Sequence, residues 1–176
     1  MSGARPMSGT WATRPETAAD EAAVRRVLEA AFPTAGEADL VDALRRDPAW
    51  LPGLAFVAED PGGRVAGYAL LTRCRVGGAD ALALAPVAVL PEHQRHGAGG
   101  AAVRAVLAAA QRRGERLVVV LGHPGYYPRF GFTRASTLGI SAGFEVPDEA
   151  LMALVLGGGP GPVPSGVIEY AAPFGV

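Results

Sequence analysis

Apolar residues recur along this chain with helical spacing in some stretches and as unbroken runs in others. Val24, Val27, Leu28, Ala31 and Phe32 follow the i, i+3, i+4, i+7, i+8 spacing that lines one stripe of a helix. Thr17, with Asp20 three residues on, supplies a cap sequence ahead of them. The spacing predicts a helix over 18–31, broken by Pro33 and Gly36. A second, shorter helix follows, with Leu40, Val41 and Leu44 inward and Glu37, Asp39, Arg45 and Arg46 outward, and Trp50-Leu-Pro-Gly53 closes the unit. The pattern then turns strand-like at 54–59 and 65–73, and Asp60-Pro-Gly-Gly63 between them makes a hairpin the natural reading. Trp11 to Arg14 reads as a short first strand.

A loop at Gly77-Gly-Ala-Asp80 returns the chain to Leu82–Leu90, which carries only apolar residues, as a strand buried on both faces does. Pro91 stops it, and Gln94-Arg95-His96-Gly97-Ala98-Gly99-Gly100 follows. An Ala-rich helix comes next, with Val103, Val106 and Leu107 on one face and Arg104, Gln111 and Arg112 largely off it. Its N-terminus opens at the glycines with unpaired N–H groups and a positive dipole end, a combination that binds anions such as a pyrophosphate. The plainer reading is a tight strand-to-helix turn. A P-loop requires a Lys followed by Ser or Thr, and the chain has no Lys. A dinucleotide fingerprint requires G-x-G-x-x-G, whereas the glycines here give G-x-G-x-x-A with no acidic residue at a suitable later strand end.

Arg116–Leu121 is a further apolar strand, so strand, helix and parallel strand form a right-handed unit. Gly122–Phe132 reads as a loop or broken helix, with strands expected near 137–140 and 151–156, a flexible connector over 157–165 and a last strand over 167–170. The leading order is β, α, α, β, β, β, α, β.

Gln94, Gly97 and Gly99 after Val89-Leu90-Pro91 fit Q/R-x-x-G-x-G/A, and Tyr127-Pro-Arg-Phe-Gly-Phe132 places a Tyr four residues before a Gly-Phe pair. Both segments, in this order, resemble those of the GNAT superfamily of N-acetyltransferases; G-H-P-x-Y-Y-P-R-F-G-F is similar to a bacterial subgroup of it. The resemblance implies an α/β fold whose central mixed β-sheet has splayed parallel strands and is flanked by helices. It implies acetyl-CoA as co-substrate, with pyrophosphate at Gln94, Arg95, His96, Gly97, Ala98, Gly99 and Gly100. Main-chain N–H groups of Val87, Ala88 and Val89 would face the acyl carbonyl and the amide-rich pantetheine. Tyr127, which also borders the cofactor, is the implied acid toward the departing sulfur, with Tyr126 second. A thiol of pKa ~8.5 leaves as a moderately basic thiolate, and a phenol of pKa ~10 hydrogen-bonds or donates to it. Packing beneath the C-terminal sheet is the competing role for both rings.

The base is less defined. No Asp or Glu lies between Ala81 and Leu90, where many members of the superfamily keep one, so proton removal runs through water or through Glu37 on the helix that borders the acceptor side. A solvated helix Glu is the ordinary reading of Glu37. His93 and His96 flank the expected pyrophosphate site, and His123 either caps a strand end or acts as a base beside Tyr126.

The 176 residues, 49% hydrophobic, suffice for one core, so the expectation is a disordered tail over 1–10 and a single N-acetyltransferase domain over 11–176. Net charge of −1 with scattered charges argues against nucleic acid or an anionic membrane as partner. Cys74 alone excludes an internal disulfide and a cysteine zinc site, the three histidines are not spaced as a metal set, and no metal is expected. The N-terminus lacks an apolar signal core and no run is long enough to span a bilayer, which points to a cytoplasmic protein, monomer or homodimer. The function implied is acetyl transfer from acetyl-CoA to a primary amine by direct attack in a ternary complex. The alternative is a non-catalytic acyl-CoA-binding or regulatory module of the same fold.

Overall fold

Chain order in the computed structural model, which describes residues 11–157 and 161–176, begins β1 (Ala12–Pro15), α1 (Glu21–Ala31), α2 (Gly36–Arg45), β2 (Trp50–Glu59), β3 (Val65–Val76) and β4 (Ala79–Val89). It continues α3 (Ala98–Arg112), β5 (Leu117–Leu121), β6 (Thr133–Arg134), β7 (Ile140–Ser141), β8 (Leu151–Val155) and β9 (Gly166–Glu169). The expected tail 1–10 and residues 158–160 of the expected connector lie outside the described residues.

Among the described residues nine strands form one mixed sheet along the path β1-β2-β3-β4-β5-β8-β6, with β9 attached to β3 and β7. This is the α/β architecture that the resemblance implied. Gly67 and Tyr68 show how it is flanked. A methyl group on Gly67 would come 3.2 Å from the Ala98 carbonyl oxygen, so one face of β3 meets the start of α3. Tyr68, pointing the opposite way, sits beside Glu16 and Arg45 on the α2 side. Val24, Val27 and Leu28 of α1 and Val103 and Val106 of α3 are fully buried, each contributing about 1.5–3 kcal/mol of apolar burial.

The feature that positions the site is the fork between β4 and β5. They pair in parallel only at Leu82 with Val118 and Ala83 with Val119. On the other side of β4 the ladder places Leu84 opposite Leu71 but Val87 opposite Ala69, which leaves one residue too many at Ala85-Pro86. Pro86 also has no N–H to give to a ladder. β5 instead keeps a full antiparallel ladder with β8, Leu117 with Val155 through Leu121 with Leu151, and so leans away from β4. The closed end of the fork is braced by Arg73, which donates to both oxygens of Glu115 at 2.9 and 2.8 Å and to the Ala81 carbonyl at 3.1 Å.

Four local expectations are corrected. Arg45 does not face solvent: its side chain is 11% exposed, bonded to Glu16 at 2.9 Å and stacked over Trp50 at 5.7 Å. Trp50–Gly53 does not close the helical unit but opens β2, across an irregular register against β3. The 77–80 loop is shorter than expected, because Gly77 and Gly78 both adopt left-handed φ and Val76 already pairs with Ala79. Residues 135–138 form a 3-10 turn held by Thr137 Oγ1–H donating to the Arg134 carbonyl at 2.6 Å, so the strand expected at 137–140 shrinks to Ile140–Ser141.

Candidate functional site

A cleft of about 850 Å³ occupies the open part of the fork. One wall is Val87–Val89 of β4. The floor is Gln94, Arg95 and Gly97 with the first turn of α3, and the far wall runs from Gly122 to Arg129. Leu90 donates its N–H to the Ala66 carbonyl at 2.8 Å on the β3 side. Antiparallel alternation then gives the Ala88 N–H to β3 as well and turns the Val87 and Val89 N–H groups toward the gap, where β5 is absent. Ala88 lines the cleft, but its N–H is not among the donors that face it.

The loop into α3 is held in an uncommon conformation. Gly97 caps the helix at φ 91°, and Arg95 takes φ 67°, a left-handed value that costs a non-glycine residue about 1–3 kcal/mol. The helix ladder begins with Ala101 N–H donating to the Gly97 carbonyl at 2.9 Å, so the N–H groups of Ala98, Gly99 and Gly100 have no helical acceptor. Trp11 clamps the loop from outside the sequence neighbourhood: its indole N–H donates to the His96 carbonyl at 2.6 Å, and its ring meets His93 edge-on at 5.2 Å. Gly99 leaves room that a side chain would fill, since an added methyl would lie 2.9 Å from Val89 Cγ2 and 3.4 Å from Tyr126 Oη.

Both tyrosines line the cleft, in different settings. The Tyr126 ring lies under the Arg129 guanidinium at 4.4 Å, and its hydroxyl reaches toward Gly99. Tyr127 starts a 3-10 turn, packs edge-on against Tyr126 and Phe132 at 5.0 and 5.8 Å, and rests on Gly122, where no Cβ fits beside it. Burial, with Tyr126 adding to it, pushes the Tyr127 phenol up to about 12; burial also raises Tyr126, while Arg129 and Arg104 pull it down. Neither hydroxyl has a hydrogen-bond partner among the described residues.

Arginines 95, 104 and 129 line the cleft, and no Asp or Glu does among the described residues. Together with the α3 N-terminus this makes the cleft a receptor for a polyanion. Gln94, Arg95, Gly97, Ala98, Gly99 and Gly100 come together there with Val87, Ala88, Val89, Tyr126, Tyr127 and His123, whereas Glu37 and His96 are not part of the lining. His96 supplies the carbonyl that Trp11 holds. Arg104, off the apolar face of α3, reads from the sequence as solvated, yet it lines the cleft with its guanidinium over Phe130 at 5.0 Å. Ala31 and Phe32, where α1 ends, also reach the cleft, although their spacing reads as core. Among the described residues no group of three or more His, Cys, Asp or Glu is placed to hold a metal ion, and no helix is long and apolar enough to cross a membrane.

Comparison with known proteins agrees with this geometry. The profile of the acetyltransferase (GNAT) family matches residues 22–132. An uncharacterised N-acetyltransferase of Escherichia coli, YjhQ, is 37% identical over 135 residues, 74% of each chain. The crystal structure of the GNAT family N-acetyltransferase YhbS from Escherichia coli, in complex with CoA, superposes with a TM-score of 0.85 at 28% identity, covering 95% of this chain and 93% of that one. A GNAT family acetyltransferase from Brucella melitensis, in complex with acetyl-CoA, gives a TM-score of 0.76 at 34% identity, over 93% of this chain and 97% of the other. With a family match across most of its length and a relative of this identity, the chain belongs to the GNAT family of acetyltransferases.

Proposed function

We propose that residues 11–176 form one N-acetyltransferase domain that moves an acetyl group from acetyl-CoA to a primary amine by direct attack in a ternary complex. The observation that carries this reading is the cleft at the fork. Among the described residues it combines unpaired N–H groups at the start of α3, three arginines and no carboxylate with strand N–H groups freed by the parting of β4 and β5. The room at Gly99 suits a close-lying phosphate, and the relatives bound to CoA and acetyl-CoA support the same donor. The Gly122–Phe132 segment supports placement in a bacterial subgroup of the family.

In this reading Gln94, Arg95 and Gly97–Gly100 bind the pyrophosphate, and the Val87 and Val89 N–H groups take the negative charge that develops on the acyl oxygen. The amine nitrogen attacks the thioester carbon, the carbon–sulfur bond breaks, and the sulfur takes the Tyr127 proton. The amine gives its surplus proton to water, and Tyr127 recovers one from solvent. Raised to about 12, Tyr127 keeps its proton throughout the range in which an amine becomes a free base. An α-amine of pKa ~8 sheds its proton at a cost of about 1.4 kcal/mol at neutral pH, against about 4.6 for a Lys-like amine of pKa ~10.4. With no carboxylate in the lining among the described residues, and water as the proton acceptor, weakly basic amines are favoured unless His123 assists. The same lack of a carboxylate is what favours the second reading, a non-catalytic acyl-CoA-binding module.

A panel of amines scored for CoA release decides between them. With an acceptor in hand, Tyr127→Phe should lower kcat by roughly 10²-fold. Acetyl-CoA affinity and melting temperature should hardly move, because the hydroxyl has no partner to lose among the described residues. Tyr126→Phe, whose hydroxyl faces Gly99, should raise the acetyl-CoA KM instead. A normal kcat in Tyr127→Phe removes it as the acid, and no CoA release with any amine class favours the binding module.

A further inference from the structure

We propose that the closed end of the fork receives the acceptor, and that this acceptor is a primary amine on an uncharged apolar body about the size of a phenyl ring. The inference rests on the acetyltransfer reading and names the second substrate of the same gap. A cavity of about 300 Å³ lies where β4 and β5 part, walled by Ala85, Val120, Leu121, Phe144 and Phe174. The Tyr170 ring completes the wall, 6.2 Å from Phe144 and 5.6 Å from Phe174 between centroids. No side chain of the described lining carries a formal charge. The volume is at the lower end for ligand pockets, about 300–1,000 Å³, which suits a small molecule.

Position points to the acceptor. Ala85 is two residues from Val87 and Leu121 is next to Gly122, and both of those neighbours line the donor cleft. The two cavities nevertheless share no lining residue, so each offers its own way to one gap, as direct attack requires. Leu121 is 46% and Phe144 41% exposed, so the apolar wall reaches the surface as an entrance. An acyl tail arriving with the donor needs a closed end and no entrance. A charge on the body would lose hydration against this apolar wall.

Calorimetry on the full chain saturated with CoA, titrated with 2-phenylethylamine or ethanolamine, reads the pocket without needing turnover. The phenyl amine should bind about tenfold tighter or better, from burial of its ring. Leu121→Asn and Phe144→Ala, both at exposed positions, should each remove most of that preference, with melting curves reporting that the variants fold. Equal binding of the two amines, or a preference unchanged in both variants, overturns the proposal. So does a preference for longer acyl-CoA over acetyl-CoA that Phe144→Ala abolishes, which would give the cavity to the acyl chain. CoA release is scored separately. Tight phenyl-amine binding without release removes the transferase reading but not the amine pocket, whereas release with polar amines alone removes the pocket and keeps the transferase.

Discussion

At Gly99 the absence of a side chain serves two neighbours at once. Any Cβ there meets Val89 Cγ2 at 2.9 Å and fills the space beside the Tyr126 hydroxyl, so Gly99→Val should push into the cleft wall while leaving the remainder of α3 intact. Acetyl-CoA affinity measured by calorimetry should fall by about tenfold or more, the loss expected when a close main-chain approach to phosphate is blocked. Unchanged affinity in a folded Gly99→Val protein would take the pyrophosphate away from this turn. Gly97 is a less discriminating position, because φ 91° strains every side chain placed there and lowers stability and affinity together. At this scale the sequence was readable where chemistry is local. The Gln94–Gly100 turn and the Tyr127–Phe132 segment announce themselves by spacing, and both reach the cleft. Arg45 and Arg104 were not readable, since each direction depends on a partner supplied by the fold: Glu16, 29 residues away, for one and the Phe130 ring for the other.

Among elements, the long apolar runs and helical stripes were legible because burial repeats along them, and β3, β4, α3 and β5 lie within a few residues of their expected limits. The short C-terminal strands were not, since two-residue pairings such as Ile140–Ser141 carry no period to read. Neither was the clamp between Trp11, just ahead of β1, and the loop before α3. Trp11 sits 85 residues from His96, and its indole N–H holds the carbonyl of the residue between Arg95 and Gly97, the two left-handed positions of the loop. Trp11→Phe keeps an aromatic ring but drops this hydrogen bond, worth about 0.5–1.5 kcal/mol. Acetyl-CoA should bind roughly three- to tenfold more weakly, with kcat at saturation preserved, because the loop holds phosphates and not reacting atoms. A normal KM in Trp11→Phe would mean that the loop keeps its shape without the clamp.

For the molecule as a whole, buried acids and bases set the pH range of the fold. The Arg14 guanidinium, bonded to both oxygens of Asp20 at 2.7 and 2.8 Å, holds that carboxyl well below the carboxylate range, so its contribution is complete above about pH 4 and is lost as pH falls below it. At the alkaline end burial acts the other way. It pushes the Cys74 thiol from near 9 to about 12, and the phenols of Tyr127 and Tyr170 from near 10 to about 12. The unfolded chain releases these protons first and binds fewer of them across the interval, so stability falls as pH rises, by about 1.4 kcal/mol per pH unit for each group in its window. The melting temperature should therefore begin to drop near pH 9, where the unfolded thiol titrates, and steepen above 10 as the phenols join. Cys74→Ala separates the contributions: it lowers stability at neutral pH by opening a small void, yet should move the onset of the alkaline decline from about 9 to about 10. Melting curves at half-unit pH steps read this directly, and an onset still at 9 in Cys74→Ala would assign the first loss to a group other than the buried thiol.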